Sequence, residues 1–140
     1  MDIPAVRQTW NSLAGRRLEF IDIFYARLFE RYPQYRELFP DSMNMQKEKM
    51  VEMLSSVARF ADHIDLVRTY LLEVGAAHHR TGITTTDIEN FTDVFLDSLA
   101  ETCGESWQPH QEAAWRQVFD DVIIPIFEEG LSGRSDGTKT

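Results

Sequence analysis

VRTYLLEVGAAHHRTG, running from Val67 to Gly82, is the stretch from which the rest of the chain can be read. Its apolar positions Val67, Tyr70, Leu71 and Val74 recur at the spacing of a helix with one inward face. Continuing that phase turns His78 inward, while His79 lies about 100° further round, toward solvent. Asp65 is the expected cap at the start of this helix and Gly82 marks its end. An imidazole on an inward face must find a partner. It is either a core histidine satisfied by a hydrogen bond or a ligand to a metal, and helical phase alone does not choose between them.

The same period continues on both sides. A first helix is expected from Pro4, with Val6, Trp10 and Leu13 inward, weakening at Gly15. A second carries Leu18, Ile21, Phe24, Tyr25, Leu28, Phe29 and Tyr32. Pro33 stops it and opens a short turn that ends at Phe39. Pro40-Asp41-Ser42 is a break, with Asp41 or Ser42 as cap of a long helix lined by Gln46, Met50, Met53, Leu54, Val57 and Phe60. Beyond the His78 segment, Thr84 to Asp87 opens a helix with Ile88, Phe91, Val94, Phe95 and Leu99 inside. Trp115, Val118, Phe119, Val122, Ile123 and Ile126 mark the last helix, which Pro125 should bend or loosen. No period-2 run flanked by turn residues occurs, so the chain reads as all-α. Residues 1–130 form one domain, and the polar tail over 131–140 is expected to be disordered.

A chain of 140 residues can bury a sizeable core without staples. The single cysteine, Cys103, excludes an internal disulfide framework and suits a reducing compartment. No long apolar run spans a membrane and the N-terminus does not resemble a signal peptide, so a cytoplasmic location is expected. The formal charge of −9 is spread over every segment, which argues against a nucleic-acid partner.

Two polar-tipped residues share the inner faces opposite His78. Gln46 begins the apolar stripe of the long helix and Met50 follows one turn later. Tyr25 lies among Phe24, Leu28 and Phe29; taken alone it is equally well a core tyrosine whose hydroxyl reaches a helix end or water. Phe39 can point into the space these residues enclose. His63 falls in a connection and His110 follows Pro109, so both are expected at the surface. Together the set describes an apolar cavity with an imidazole on one wall and two neutral hydrogen-bonding groups on another, which suits a planar iron cofactor. Cysteine pairs, a His-x₃-His motif, a phosphate loop and a nucleophile elbow are all missing from the sequence.

At these residues the chain resembles the globin family. Val74-Gly75-Ala76-Ala77-His78, followed by Gly82-Ile83, is similar to the family's proximal-histidine segment. Leu38-Phe39-Pro40 resembles the corner whose phenylalanine packs on the haem, and Trp107-Gln108-Pro109 with Ala114-Trp115 resembles the approach to the last helix. The resemblance runs from about Val6 to Glu129. It implies the three-over-three helical sandwich, haem b as cofactor, His78 rather than His79 as the iron ligand, and Phe39, Lys49, Met50, Ile83 and Phe91 around the haem.

Phe24-Tyr25 with Gln46 looks closest to bacterial single-domain globins and the globin domain of flavohaemoglobins. There the tyrosine and glutamine hydrogen-bond to the bound gas. The resemblance therefore implies reversible binding of O2, with NO and CO as further ligands, in delivery or sensing. It also leaves open a nitric oxide dioxygenase served by an external reductase, and a globin-shaped regulatory module without haem. The sequence departs from that pattern at Ile88, where the flavohaemoglobins carry a tyrosine that makes the histidine more electron-donating. The segment between Phe39 and Gln46 is also short, and a slipped register would bring Lys49 to the distal position. Lys49 has two readings: a partner for a haem propionate, or, like the Met50 sulfur, an internal ligand to the iron.

Overall fold

The computed structural model describes residues 2–78 and 82–132, so His79 and the tail beyond Ser132 lie outside the described residues. Within them the chain forms α1 (Ile3–Ser12), α2 (Arg17–Arg31), a 3₁₀ helix (Pro33–Leu38), α3 (Asn44–Phe60), α4 (Ile64–Ala77), α5 (Thr85–Cys103), a 3₁₀ turn (Gly104–Ser106), α6 (Pro109–Val118), a π turn (Phe119–Ile123) and α7 (Ile124–Leu131). No strand occurs among the described residues.

Helix packing gives two layers. In one, α3 touches both α1 and α4; in the other, α5 touches α2 and α6; and α1 on α6, α2 on α3 and α4 on α7 join them. Counting α6, the π turn and α7 as one bent helix, this is the three-over-three sandwich. Its aromatic centre lies where α1, α2, α5 and α6 meet. Phe95 contacts Phe20 at 5.2 Å, Trp115 at 5.6 Å and Phe119 at 4.9 Å between ring centroids, and Trp10 and Trp115 are both buried. Edge-on pairs such as Phe20–Phe95 add to the burial of these large side chains. That core anchors α2 and α5, leaving α3, α4 and α7 to shape a second region.

Several local expectations are corrected. Leu18 is 58% exposed because it sits in the first turn of α2, about 80° from the centre of the buried stripe. Neither Asp41 nor Ser42 caps α3: the cap is Met43, without a side-chain bond. His63, not Asp65, is the cap position of α4, and Asp65 lies in its first turn, where a carboxylate favours the helix dipole. Helix α4 ends at Ala77, with His78 as its C-cap, rather than near Gly82. The last helix runs on through Leu131, and Gly130 is a buried helical residue.

Two expectations on backbone chemistry hold. The helix before Pro125 widens: the Ile124 N–H reaches the Phe119 carbonyl, five residues back. A ring at 125 removes the N–H of the next rung, so the loosened turn falls just ahead of it. Thr84 starts α5 with a full capping box, its hydroxyl accepting the Asp87 N–H at 3.2 Å and the Asp87 carboxylate accepting the Thr84 N–H at 2.9 Å. Gly82, at φ +76°, allows the reversal that leads into this cap. Thr84→Ala should cost about 1 kcal/mol and lower Tm by roughly 4 °C in a thermal melt, while Thr84→Ser should restore most of the loss.

Candidate cofactor site

Helix α4 delivers His78. Its inward stripe is fully covered at Val67 and Leu71 and becomes half-buried at Val74 and His78. The His78 Nδ1 lies 2.7 Å from the Val74 carbonyl oxygen. A carbonyl can only accept, so Nδ1 carries the proton and Nε2 is the basic nitrogen. The Phe127 ring of α7 packs on the imidazole at 5.4 Å.

Helices α2 and α3 deliver the second wall. Tyr25 is only 4% exposed, and its hydroxyl accepts a hydrogen bond from Gln46 Nε2 at 3.3 Å. Burial pushes the phenol above its ordinary range, and the Gln46 bond only partly opposes this. Tyr25 therefore stays protonated at physiological pH and keeps its own O–H to donate. Phe24, Phe29 and Phe39 surround its ring at 4.9, 5.8 and 5.6 Å, giving the pair an apolar setting that strengthens any hydrogen bond it makes.

Arg36 fixes the corner that carries Phe39. Its guanidinium donates to the carbonyls of Phe39, Pro40 and Asp41 at 3.3, 2.9 and 2.9 Å and lies over the Phe29 ring at 5.4 Å. Gln46, rather than Lys49, reaches Tyr25. Lys49 is exposed, and the neighbouring Lys47 pairs with Asp22 at 2.8 Å. Met50 is half-buried against the core.

Phe91 packs on Tyr35 at 5.3 Å, whose hydroxyl donates to Asp87 at 2.6 Å and accepts from Asn90 at 3.0 Å. Burial alone would raise the Asp87 carboxyl, but the Tyr35 and Thr84 hydrogen bonds outweigh it and hold the group below the usual carboxylate range. Ile83 is half-buried and Ile88 buried. Of the neighbouring acids on α7, Glu129 pairs with Arg68 at 2.6 Å and Glu128 accepts from the Thr85 hydroxyl.

The expected site residues thus fall into groups: Tyr25 in contact with both Gln46 and Phe39, His78 against Phe127 and its own helix, and Phe91 beside Tyr35. Lys49 stands apart at the surface. His63 and His110 are exposed. Cys103 ends α5, half-buried, and burial pushes its thiol up. Phe127 and Arg36 were not singled out from the sequence. Phe127 lies four residues after Ile123, a continuation of the inward stripe that Pro125 obscures. Arg36 carries no periodic signal, since its partners are backbone carbonyls.

The residues fit a haem. No cluster of three or more His, Cys, Asp or Glu that could hold a metal ion occurs among the described residues. Phe39, Met50, Val74, Ile83 and Phe91 are half-buried apolar side chains of the kind that a broad apolar macrocycle covers, and a carbonyl-oriented imidazole is the usual form of a metal-ligating histidine. A separate surface cleft of ≈ 560 Å³ between α1 and α3, lined by Arg7, Trp10, Arg17 and Arg59 among others, includes none of Tyr25, Gln46 or His78. No helix of the described residues is long and apolar enough to cross a membrane.

Comparison with known proteins bears on the family and the fold. The family described as Globin matches residues 22–126. An anaerobic nitrite reductase, NSHB5, of Oryza sativa subsp. indica is 23% identical over 131 residues, covering 89% of this chain and 90% of that protein. The anaerobic nitrite reductase HBII of Casuarina glauca is 21% identical over 136 residues, covering 86% and 85%. Among solved structures, the engineered carbene transferase RmaNOD of Rhodothermus marinus, assigned as a nitric oxide dioxygenase, superposes with a TM-score of 0.84 at 20% identity, covering 97% of this chain and 95% of that one.

Proposed function

The chain belongs to the globin family, and we propose that it binds haem b through His78 and reversibly holds O2 beside the Tyr25–Gln46 pair. The observation that carries this reading is the part-buried Tyr25–Gln46 hydrogen bond, a pair of neutral polar groups beside an aromatic cluster. Haem supplies the iron centre at which a diatomic gas binds. Tyr25 offers its O–H to that gas, and Gln46 orients the phenol by donating to its oxygen. The aromatic cluster of Phe24, Phe29 and Phe39 excludes water, which keeps the donors strong. Phe39, Met50, Ile83 and Phe91 supply the apolar contacts to the macrocycle. Lys49, whose side chain is in solvent, pairs with a haem propionate at the pocket edge.

Below the iron, the Val74 carbonyl keeps the Nδ1 proton on His78. The neighbouring ring is Phe127, and buried Ile88 adds no hydrogen bond. A neutral imidazole with this setting favours reversible binding over oxidative bond cleavage. Titrating the reduced, haem-loaded protein with O2 tests the reading: full saturation that reverses under argon supports it, and immediate oxidation to the ferric state overturns it.

A second reading draws on the relatives, which are named as nitrite reductases, and on a structural neighbour assigned as a nitric oxide dioxygenase. The same pocket would then turn over NO or nitrite with electrons from an external reductase. Steady turnover with a reductase present, against a single stoichiometric event without one, separates the two.

A further inference from the structure

Helix α4 meets α7 through a reciprocal pair of glycines. A Cβ placed on Gly75 would run into the Phe127 carbonyl, with the Leu131 nitrogen at 3.1 Å and the Gly130 Cα at 3.2 Å. A Cβ on Gly130 would run into the Leu72 carbonyl, with the Ala76 nitrogen at 3.1 Å. Every one of these obstacles is helix backbone, so no side chain can swing aside. Both glycines are buried and neither has a positive φ. Backbone freedom therefore does not explain them, and glycine inside a helix costs stability relative to alanine. What they allow is the close approach of two helices.

That contact lies beside His78. Gly75 follows Val74, whose carbonyl holds the Nδ1 proton. Phe127, whose carbonyl lies over Gly75, carries the ring against the imidazole. One turn of α7 thus touches both the backbone that holds His78 and the ring itself.

We propose that Gly75 and Gly130 are positioning residues for His78, setting the height and rotation of its imidazole through the α4–α7 contact. The proposal rests on His78 as the iron ligand. A methyl group at either position separates the helices, draws Phe127 off the imidazole and displaces α4 relative to the pocket.

The test uses the full-length, haem-loaded ferrous protein and three variants: Gly75→Ala, Gly130→Ala and Phe127→Leu. Resonance Raman reads the iron–histidine stretching band, and transfer of haem to an acceptor protein reads haem loss. Val6→Ala, which opens a cavity at the α1 side of the core, controls for general destabilisation. In the glycine variants the band should shift and haem loss accelerate about tenfold or more, the range for groups that orient a metal ligand; in Val6→Ala the band should stay. Phe127→Leu keeps the glycine contact and should shift the band even if the glycine variants do not fold. In the haem-free protein, the ring-current shift of the His78 protons by Phe127 should diminish in all three. A wild-type band that no folded variant moves overturns the proposal alone. No such band in the wild type overturns the ligand assignment and the proposal with it.

Discussion

His78→Ala is expected to abolish stable haem binding while leaving the apoprotein folded. The imidazole is half-buried at the C-cap of α4, so removing it opens no cavity in the core. The loss to the apoprotein includes the hydrogen bond to the Val74 carbonyl and the Phe127 ring contact, about 1 kcal/mol for the hydrogen bond, which shifts the melting temperature by only a few degrees. For the cofactor the loss is the proposed iron ligand itself. Substituting groups that merely orient a metal ligand costs roughly 10–100-fold in affinity, so losing the ligand should cost more than that. The matching experiment is haem titration of the wild type, His78→Ala and His79→Ala, followed by absorbance and by melting of the apoproteins. Only His78→Ala should fail to hold haem, and added imidazole should partly restore its spectrum. Unchanged haem retention in His78→Ala would remove the ligand assignment.

The second large effect is expected above the iron. Tyr25→Phe keeps the buried ring among Phe24, Phe29 and Phe39 and deletes one O–H. A hydrogen bond to a charged acceptor in a dry site is worth about 1.5–3 kcal/mol, so O2 should dissociate roughly 10- to 100-fold faster. CO develops little negative charge and should change much less. Gln46→Leu leaves the phenol in place but removes the group that orients it, so its effect should be smaller and in the same direction. Stopped-flow displacement of O2 by CO measures both. If neither variant changes the rate beyond twofold, Tyr25 and Gln46 do not face the ligand.

Much of this fold was legible from the period of apolar residues. The inward stripe of the last helix, the break at Pro33 and the Thr84–Asp87 cap all follow from local rules that the structure obeys. The failures have physical causes. Asp65 is a good cap residue, but the chain turns two residues earlier and His63 takes that position. Leu18 is apolar and near the stripe, yet an element's first turn lies at its edge and is the easiest to leave in solvent. Gly130 closes the expected domain because glycine reads as a breaker. Its place four residues after Ile126 was the better signal, since a close helix contact requires a glycine where periodicity alone would suggest a larger residue.

The site was legible in part, for a different reason. Tyr25 and Gln46 are polar residues on apolar stripes, and such exceptions stand out. Phe127 and Arg36 do not. Phe127 is one more aromatic on an apolar helix, and only the position of α7 against α4 turns it into the neighbour of His78. Arg36 works through carbonyl groups that every residue possesses, so no sequence pattern marks it.

The most direct test of a haem held by this chain is a titration of haemin into the purified wild-type protein, followed at the Soret band. Saturation at one haem per chain, with a band that shifts on reduction and again on adding CO, is the expected result. A spectrum no different from free haemin at every ratio would contradict it.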